Sequence, residues 1–360
     1  MYNDQLPSVD SIVTRIESHP FRPVENGMTV EPTSGEDGLD DFADEDWLVR
    51  TLAIRDLIRC GDSAAIIPAL DHRSPEVRYL AAAALGILEV ESSLDRLHRL
   101  LREAPESTVR SQAAISIGQI GHEASIPVLK QQAQADEQRD IPPQCRIAID
   151  HIRRYDGNQS DLREAFERLD ESSFGGLRVG DRFPVVELPT VDYGRFSVAE
   201  HIGERRVVLL WVFADWCPVC HHEFLDLIER RKQFEELDVA VATVECHDVY
   251  RSRVMAGREP KPEYWYSHKF PDLSYGECRW WPHVTDFAGA LAARLGLDPL
   301  AFAVHSEFVN RPATIIIETD GTIAMSYAGT FWGDRPSVAD TFELLSSGSY
   351  SYEHPQRRRR

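Results

Sequence analysis

Trp216-Cys217-Pro218-Val219-Cys220-His221-His222 decides how this 360-residue chain is read. The apolar run before it, Val207-Val208-Leu209-Leu210-Trp211-Val212-Phe213, predicts a buried strand. After it, Pro218 suits a first helical position. Phe224, Leu227 or Ile228, and Phe234 recur near helical spacing, which predicts a helix from Pro218 to about Glu236. Two thiols therefore sit at a strand-to-helix turn, with Cys217 where an N-cap belongs. Unpaired amides and the positive end of the helix dipole favour a thiolate there, so Cys217 is expected to be acidic for a thiol and nucleophilic. Cys220, one turn on, could then attack a mixed disulfide on Cys217 and release a reduced partner. These are the features of a redox site.

The same letters allow other chemistry. Cys217 to His221 spells the C-x-x-C-H string of c-type haem attachment, which belongs to exported proteins, and no export signal precedes it. Cys217, Cys220, His221, His222, Cys246, His247 and Cys278 could supply zinc ligands, but no second ligand pair follows at regular spacing. The blandest alternative is a pair of inert buried cysteines. The expectation is no metal and no cofactor beyond a redox-active Cys217–Cys220 disulfide.

Phe213-Ala214-Asp215-Trp216-Cys217-x-x-Cys220 and, far downstream, Arg311-Pro312-Ala313-Thr314 leading into Ile315-Ile316-Ile317-Glu318-Thr319-Asp320-Gly321 together resemble the thioredoxin-like superfamily. A lone C-x-x-C says little; strand, tryptophan, C-x-x-C, helix and a distant proline opening a strand say much more. The resemblance spans about 177–348. It implies a cis bond at Pro312 that sets the Arg311 backbone beside the thiols, so that Trp216, Arg311 and Pro312 form the substrate-binding loop. An arginine there would add charge assistance for a thiolate or an acidic partner. The entry Val179-Gly180-Asp181-Arg182-Phe183-Pro184 resembles the peroxiredoxin and periplasmic-reductase branch more than plain thioredoxin.

The chain departs from the family twice. Plain thioredoxins carry a proton-accepting aspartate six residues before the first cysteine, and here that position is Trp211. The peroxiredoxin pattern Pro-x-x-x-Thr-x-x-Cys falls on Phe213, Cys217 and Cys220, with neither the proline nor the threonine present. On that alignment Cys220 is the attacking sulfur. On the thioredoxin alignment it is Cys217, the assignment preferred from the sequence.

The rest of the chain bounds the reading. The formal charge is −20, with four lysines against thirty-five arginines, which argues against nucleic-acid or anionic-membrane partners. Six cysteines do not make a disulfide scaffold, and no stretch approaches a membrane span, so a soluble cytoplasmic protein is expected. Residues 1–45 form an acidic leader expected to be disordered, apart from a short helix at Ser8 to Ser18; twelve acids face two arginines up to residue 46. From residue 46 alanine- and leucine-rich helices repeat. Val49-Arg50, Val77-Arg78 and Val109-Arg110 lie 28 and then 32 residues apart, and Leu85-Gly86 corresponds to Ile117-Gly118. These units resemble short HEAT-like repeats, with a weaker capping unit at Gln144 to Arg154. One helix pair cannot bury its apolar face alone, so the pairs must stack. Cys60 and Cys145 read as core residues within them.

The predicted architecture is thus an α-solenoid of HEAT-like repeats over 46–155 followed by an α/β thioredoxin-like domain over 177–348. A linker spans 156–176, with a short helix at Asp161 to Leu169, and a tail spans 349–360. Within the second domain, strands are expected at Val185 to Leu188, Asp238 to Val244, Ala313 to Glu318 and Ile323 to Tyr327, with a helix at about Pro336 to Leu345. Residues 246–300 read as an insertion. Ligands of open α/β sheets bind beyond the carboxyl ends of parallel strands, and Cys246 follows its strand as Cys217 follows the earlier one. Cys246 and His247 are therefore candidates for a place beside the thiols, with His247 as a proton carrier and His221 or His222 as a tuning group. The expected function is thiol–disulfide exchange on protein or peptide disulfides, with the repeats docking a protein partner. A thiol peroxidase working through Cys220 and a non-catalytic repeat scaffold with a redox sensor are the alternatives.

Overall fold

The computed structural model describes residues 6–18, 47–264, 267, 276–330 and 333–353. Most of the acidic leader, Trp265, Tyr266 and the arginine tail lie outside them.

The N-terminal half is helical: α1 (Val9–Ser18), α2 (Trp47–Cys60), α3 (Ser63–Ile66), α4 (Pro75–Ile87), α5 (Leu94–Glu103), α6 (Ser107–Ile120), α7 (Ile126–Ala135), α8 (Ile141–Arg154) and α9 (Ser160–Glu167). Small residues set how closely these helices stack. A Cβ on Gly86 of α4 would lie 2.8 Å from the Ser116 backbone of α6, and one on Gly118 of α6 would lie 3.0 Å from the Ala148 backbone of α8. The repeated glycine is therefore a contact point between successive units, used twice. Ala81, Ala82, Ala83 and Ala84 are all buried, for the same reason. Cys145 is buried and Cys60 half-buried. Burial pushes the Cys145 thiol up to about 12, which suits a core residue. The short linker helix is α9, and its Leu162 and Phe166 are buried in the same core as the repeats.

In the C-terminal half β1 (Leu188–Pro189) and β2 (Arg195–Phe196) make a small antiparallel pair, shorter than the strand expected from Val185. Then come β3 (Arg206–Trp211), α10 (Pro218–Glu229), α11 (Arg231–Glu236), β4 (Val239–Glu245), α12 (Val249–Met255), β5 (His283–Thr285), α13 (Ala290–Arg294), β6 (Phe302–Val304), β7 (Glu307–Val309), β8 (Ala313–Ile317), β9 (Ile323–Ala328) and α14 (Val338–Ser347). Five strands form one sheet in the order β5-β4-β3-β8-β9. β3 lies at its centre, parallel to β4 and antiparallel to β8. The strand period of two splits β3 between two layers. Val208 and Leu210 join Phe224 and Leu227 of α10 on one face; Val207, Leu209 and Trp211 join Leu291 of α13 on the other.

Three expectations change. The single helix after the cysteines is broken at Arg230, whose backbone (φ −92°, ψ 7°) ends α10 and starts α11. The insertion is part of the fold, because it supplies the edge strand β5 and the covering helices α12 and α13. The β6–β7 hairpin was not foreseen. Its turn residues, His305 (φ 50°) and Ser306 (φ 63°), take left-handed backbone without the glycine or asparagine that marks such turns.

That hairpin and α12 bring the two halves together. Tyr79 of α4 meets Phe308 edge-on at 5.3 Å, and His151 of α8 stacks on Tyr250 of α12 at 4.5 Å. Gln119 Nε2 donates to Asp248 at 3.2 Å. Part of the repeat surface expected to receive a partner is therefore covered by the redox domain of the same chain. A cavity of about 100 Å3 remains between them, bounded by Tyr79 and Gln119 on one side and by Cys246, His247 and Arg251 on the other.

Candidate active site

β3 delivers the chain into the site. Beyond Trp211 the backbone turns, the Cys217 N–H donating to the Ala214 carbonyl at 3.1 Å, and α10 begins with Cys217 as its N-cap residue and Pro218 in its first turn. The position is the expected one, but the expected acidity is not. Cys217 is 1% and Cys220 0% exposed. Burial is the largest influence on Cys217 and pushes its thiol well above the ordinary range, with neighbouring Cys220 adding to the rise. Desolvation outweighs the helix terminus.

Two donors face Cys220. The Phe213 N–H donates to Cys220 Sγ at 3.3 Å, and Arg335 Nη2 lies 4.0 Å from the same sulfur. Arg335 is itself buried and fixed, donating to the Trp211 carbonyl and pairing with Glu223 of α10. Burial by itself would lower its guanidinium, yet Glu223 and Cys220 hold it above its ordinary value, so it stays a cation.

A second cation comes from the insertion. Lys261 Nζ meets the His221 ring, 2.9 Å from Nδ1. Burial lowers this amine to about 7, opposed by Asp215, Cys217 and Cys220 nearby. His221, one of the two candidate tuning groups, is fully buried, its Nε2 2.8 Å from the Asp215 carbonyl. His222 is exposed. Next to the cysteines, the Trp216 indole N–H donates to Glu307, and Asp215 pairs with Arg251.

The downstream loop needs a correction. The bond before Pro312 is trans, since no described residue has a cis peptide bond. The loop does lie beside the redox turn: Trp211 pairs with Ala313 across the sheet, and Asn310 N–H donates to the Phe213 carbonyl at 3.0 Å. The Arg311 side chain is turned elsewhere, onto Asp298 at 2.9 Å and the Gly329 carbonyl at 2.8 Å. A β8 that starts flush against the end of β3 already positions this loop, without a cis bond.

Cys246 follows β4 as expected, and β4 is parallel to β3, but the thiol packs in the layer with Trp211 and Leu291, not with Cys217 and Cys220. Its Sγ lies 3.9 Å from Asp286 Oδ2. Burial first, then Asp286 and Glu245, drive this thiol well up, so it stays protonated. His247 binds Glu245 at 2.6 Å; burial would lower its imidazole, but Glu245 raises it more. Cys246 therefore does not take its expected place beside the redox thiols. Among the described residues no group of three or more His, Cys, Asp or Glu side chains gathers as a metal site. No helix among them is long and apolar enough to cross a membrane.

Sequence reasoning missed Arg335, Lys261, Arg251 and Glu307. Each is remote in sequence and lies in no motif; only Lys261, one of four lysines in an arginine-rich chain and set between Pro260 and Pro262, was a usable hint.

A buried C-x-x-C at a strand-to-helix turn, in a mixed sheet with cations against the sulfur, defines a thioredoxin-like redox domain. The AhpC/TSA family model matches residues 179–326, and the HEAT-repeat model matches 38–115 and 63–142. Among known proteins, the chloroplastic 2-Cys peroxiredoxin BAS1 of Arabidopsis thaliana is 23% identical over 180 residues, covering 49% of this chain and 61% of that protein. The 1-Cys peroxiredoxin PER1 of Hordeum vulgare is 31% identical over 74 residues, 21% of this chain and 34% of its own. This chain thus spans less than two thirds of either relative. Of solved structures, the reduced 2-Cys peroxiredoxin of Plasmodium vivax overlaps with a TM-score of 0.37 at 16% identity, covering 48% of this chain and 96% of that one. AhpC of Mycobacterium tuberculosis overlaps with a TM-score of 0.38 at 18% identity, covering 48% and 92%. Overlaps of that size carry none of the argument below. The chain thus carries HEAT repeats followed by an AhpC/TSA-type, thioredoxin-like domain.

Proposed function

We propose that the redox domain is a thiol peroxidase in which Cys220 attacks and Cys217 resolves. The observation that carries this reading is the surroundings of Cys220 Sγ, with the Phe213 N–H at 3.3 Å and the Arg335 guanidinium at 4.0 Å. Both stabilise a thiolate, and Arg335 can also stabilise charge that develops on a peroxide oxygen. Cys220 sulfur attacks one peroxide oxygen; the S–O bond forms, the O–O bond breaks, and the departing alkoxide or hydroxide takes a proton. Lys261, whose amine burial lowers to about 7, would supply that proton. The Cys217 thiol then attacks the sulfenic sulfur, forming the Cys217–Cys220 disulfide and releasing water. A dithiol reductant returns the pair to its starting state. Burial also supports the reading, because a small peroxide reaches an enclosed sulfur more easily than a protein disulfide does.

A second reading, exchange with protein or peptide disulfides through Cys217, is favoured by the C-x-x-C spacing and by Cys217 at the helix N-cap. It requires Cys217 to leave its enclosure. The reduced protein should consume one equivalent of peroxide and form the 217–220 disulfide; in Cys217→Ser a sulfenic-acid trap should label Cys220. A mixed disulfide trapped on Cys217 in Cys220→Ser, with wild-type turnover of an insulin-type disulfide and none of peroxide, would replace the first reading by the second.

A further inference from the structure

Three equivalent arginines of the repeats do not do equivalent work. Arg78 donates to the His72 carbonyl at 2.7 Å and pairs with Glu106 at 2.6 Å. Arg110 donates to the Ala104 carbonyl at 2.7 Å and pairs with Asp136 at 3.0 Å. Each braces the turn before its own helix and an acid of the following turn. Arg50 reaches out of the repeats: it donates to the Leu300 carbonyl and lies 3.5 Å over the ring of Phe308. Beside it, Ser306 Oγ donates to Ser107 Oγ at 2.8 Å and reaches Asp140 at 3.1 Å. The repeats therefore grip one side of the β6–β7 hairpin. The grip also compensates a turn whose two central residues both have positive φ without being glycine.

The other side of the hairpin holds the redox loop. Glu307 accepts the Trp216 indole N–H and pairs with Arg251 at 3.0 Å, while Arg251 pairs with Asp215 as well. Asp215, Arg251 and Glu307 are 1%, 2% and 3% exposed. Asp215 and Trp216 are the two residues immediately before Cys217, so whatever fixes them fixes the start of α10 and both sulfurs. His305 stands edge-on to the Trp216 ring at 4.8 Å, on the same hairpin. A buried ion cluster is costly to assemble and gives little stability over an apolar substitute, so a role for this one in holding the loop is worth testing.

We propose that Glu307 is a positioning residue through which the helical repeats fix the Asp215–Trp216–Cys217 turn and so set the reactivity of the two thiols. The proposal rests on the thiol chemistry argued above. The repeats then act within the chain, as the fixed wall against which the redox loop is held.

The test labels the reduced full-length protein with iodoacetamide and measures the rate at each cysteine by mass spectrometry. Exposed Cys278 reports reagent strength, and Cys145, buried in the repeats, reports unfolding. Glu307→Gln, which keeps an acceptor for the indole but loses the pairing charge, should speed labelling of Cys217 and Cys220 about fivefold, with Cys145 silent. Arg50→Met, on the repeat side, should move the same two cysteines in the same direction. The double variant should show no more than the larger single effect, because both substitutions release one element. Labelling within about twofold of wild type in Arg50→Met, or effects that simply multiply, overturns the proposal. Should Glu307→Gln label Cys145 and so prove unfolded, Ser306→Ala, which loses only the hydroxyl contacts to the repeats, reads the same coupling by the same criteria. A wild-type protein inert to peroxide and disulfides would defeat the proposed function while leaving these rate ratios readable.

Discussion

β3 and β4 are parallel neighbours, and a cysteine lies beyond the carboxyl end of each, yet the two ends differ in the charges they meet. Beyond β3, Cys217 and Cys220 lie in the layer with Phe224, with Arg335 4.0 Å from one sulfur and Lys261 close by. Beyond β4, Cys246 lies in the other layer, against Asp286 and Glu245. Cations against a buried sulfur favour the thiolate and carboxylates favour the thiol. Occupying the carboxyl edge of a parallel pair therefore does not fix a cysteine's surroundings; the layer it enters does.

The sharpest way to break this comparison is to remove each sulfur in turn. Cys220→Ser should lower peroxide reduction by about 10³-fold or more, the scale of losing a nucleophile, whereas Cys246→Ser should keep it within about twofold. A comparable loss from Cys246→Ser, measured by stopped-flow peroxide consumption on folded protein, would erase the distinction. The cations come next. Arg335→Met should slow the reaction about 10²-fold, the range for deleting a preorganised donor, and Arg335→Lys should recover part of it by keeping the charge. Since Glu223 then loses its partner, circular dichroism must first show that the variant is folded.

The smallest effect is on pH dependence. Burial lowers Lys261 to about 7, so its ammonium is present below that pH and favours a neighbouring thiolate. Lys261→Met should therefore slow alkylation of the two cysteines below about pH 7 and leave it unchanged well above that pH. Stability carries the opposite sign. A lysine whose folded-state value lies below its unfolded value of 10.5 adds stability above 10.5 that is lost as pH falls towards 7. Urea denaturation at pH 7 and pH 10 should therefore show a wild-type decline on going down in pH that Lys261→Met reduces. An unchanged profile in the variant would mean that Lys261 is not buried against the thiols.

Several elements were legible because their signals are local. The apolar run of β3, Pro218 at the start of α10 and the Ile315–Ile317 strand all follow from residue type and order. The repeats declare themselves through Val-Arg pairs and the Gly86 and Gly118 positions, where neighbouring helices touch. What failed were inferences that needed surroundings. The acidity expected of Cys217 took account of the helix end but not of desolvation, and Pro312 was assigned a cis bond from the resemblance alone. The β6–β7 turn, made by His305 and Ser306, has no residue that advertises positive φ.

The sequence by itself determined the order of the parts: a helical repeat array, a linker helix, and an α/β redox domain with two thiols at a strand-to-helix turn. Periodicity, caps and turns act over a few residues, so they can be read along the chain. Which sulfur meets a cation, which face of the sheet Cys246 enters, and what the repeats touch were decided only in three dimensions. Arg335 reaches Cys220 from 115 residues away, and Arg50 reaches Leu300 from 250. Charge and burial depend on distance through space, and no spacing in the sequence encodes that distance.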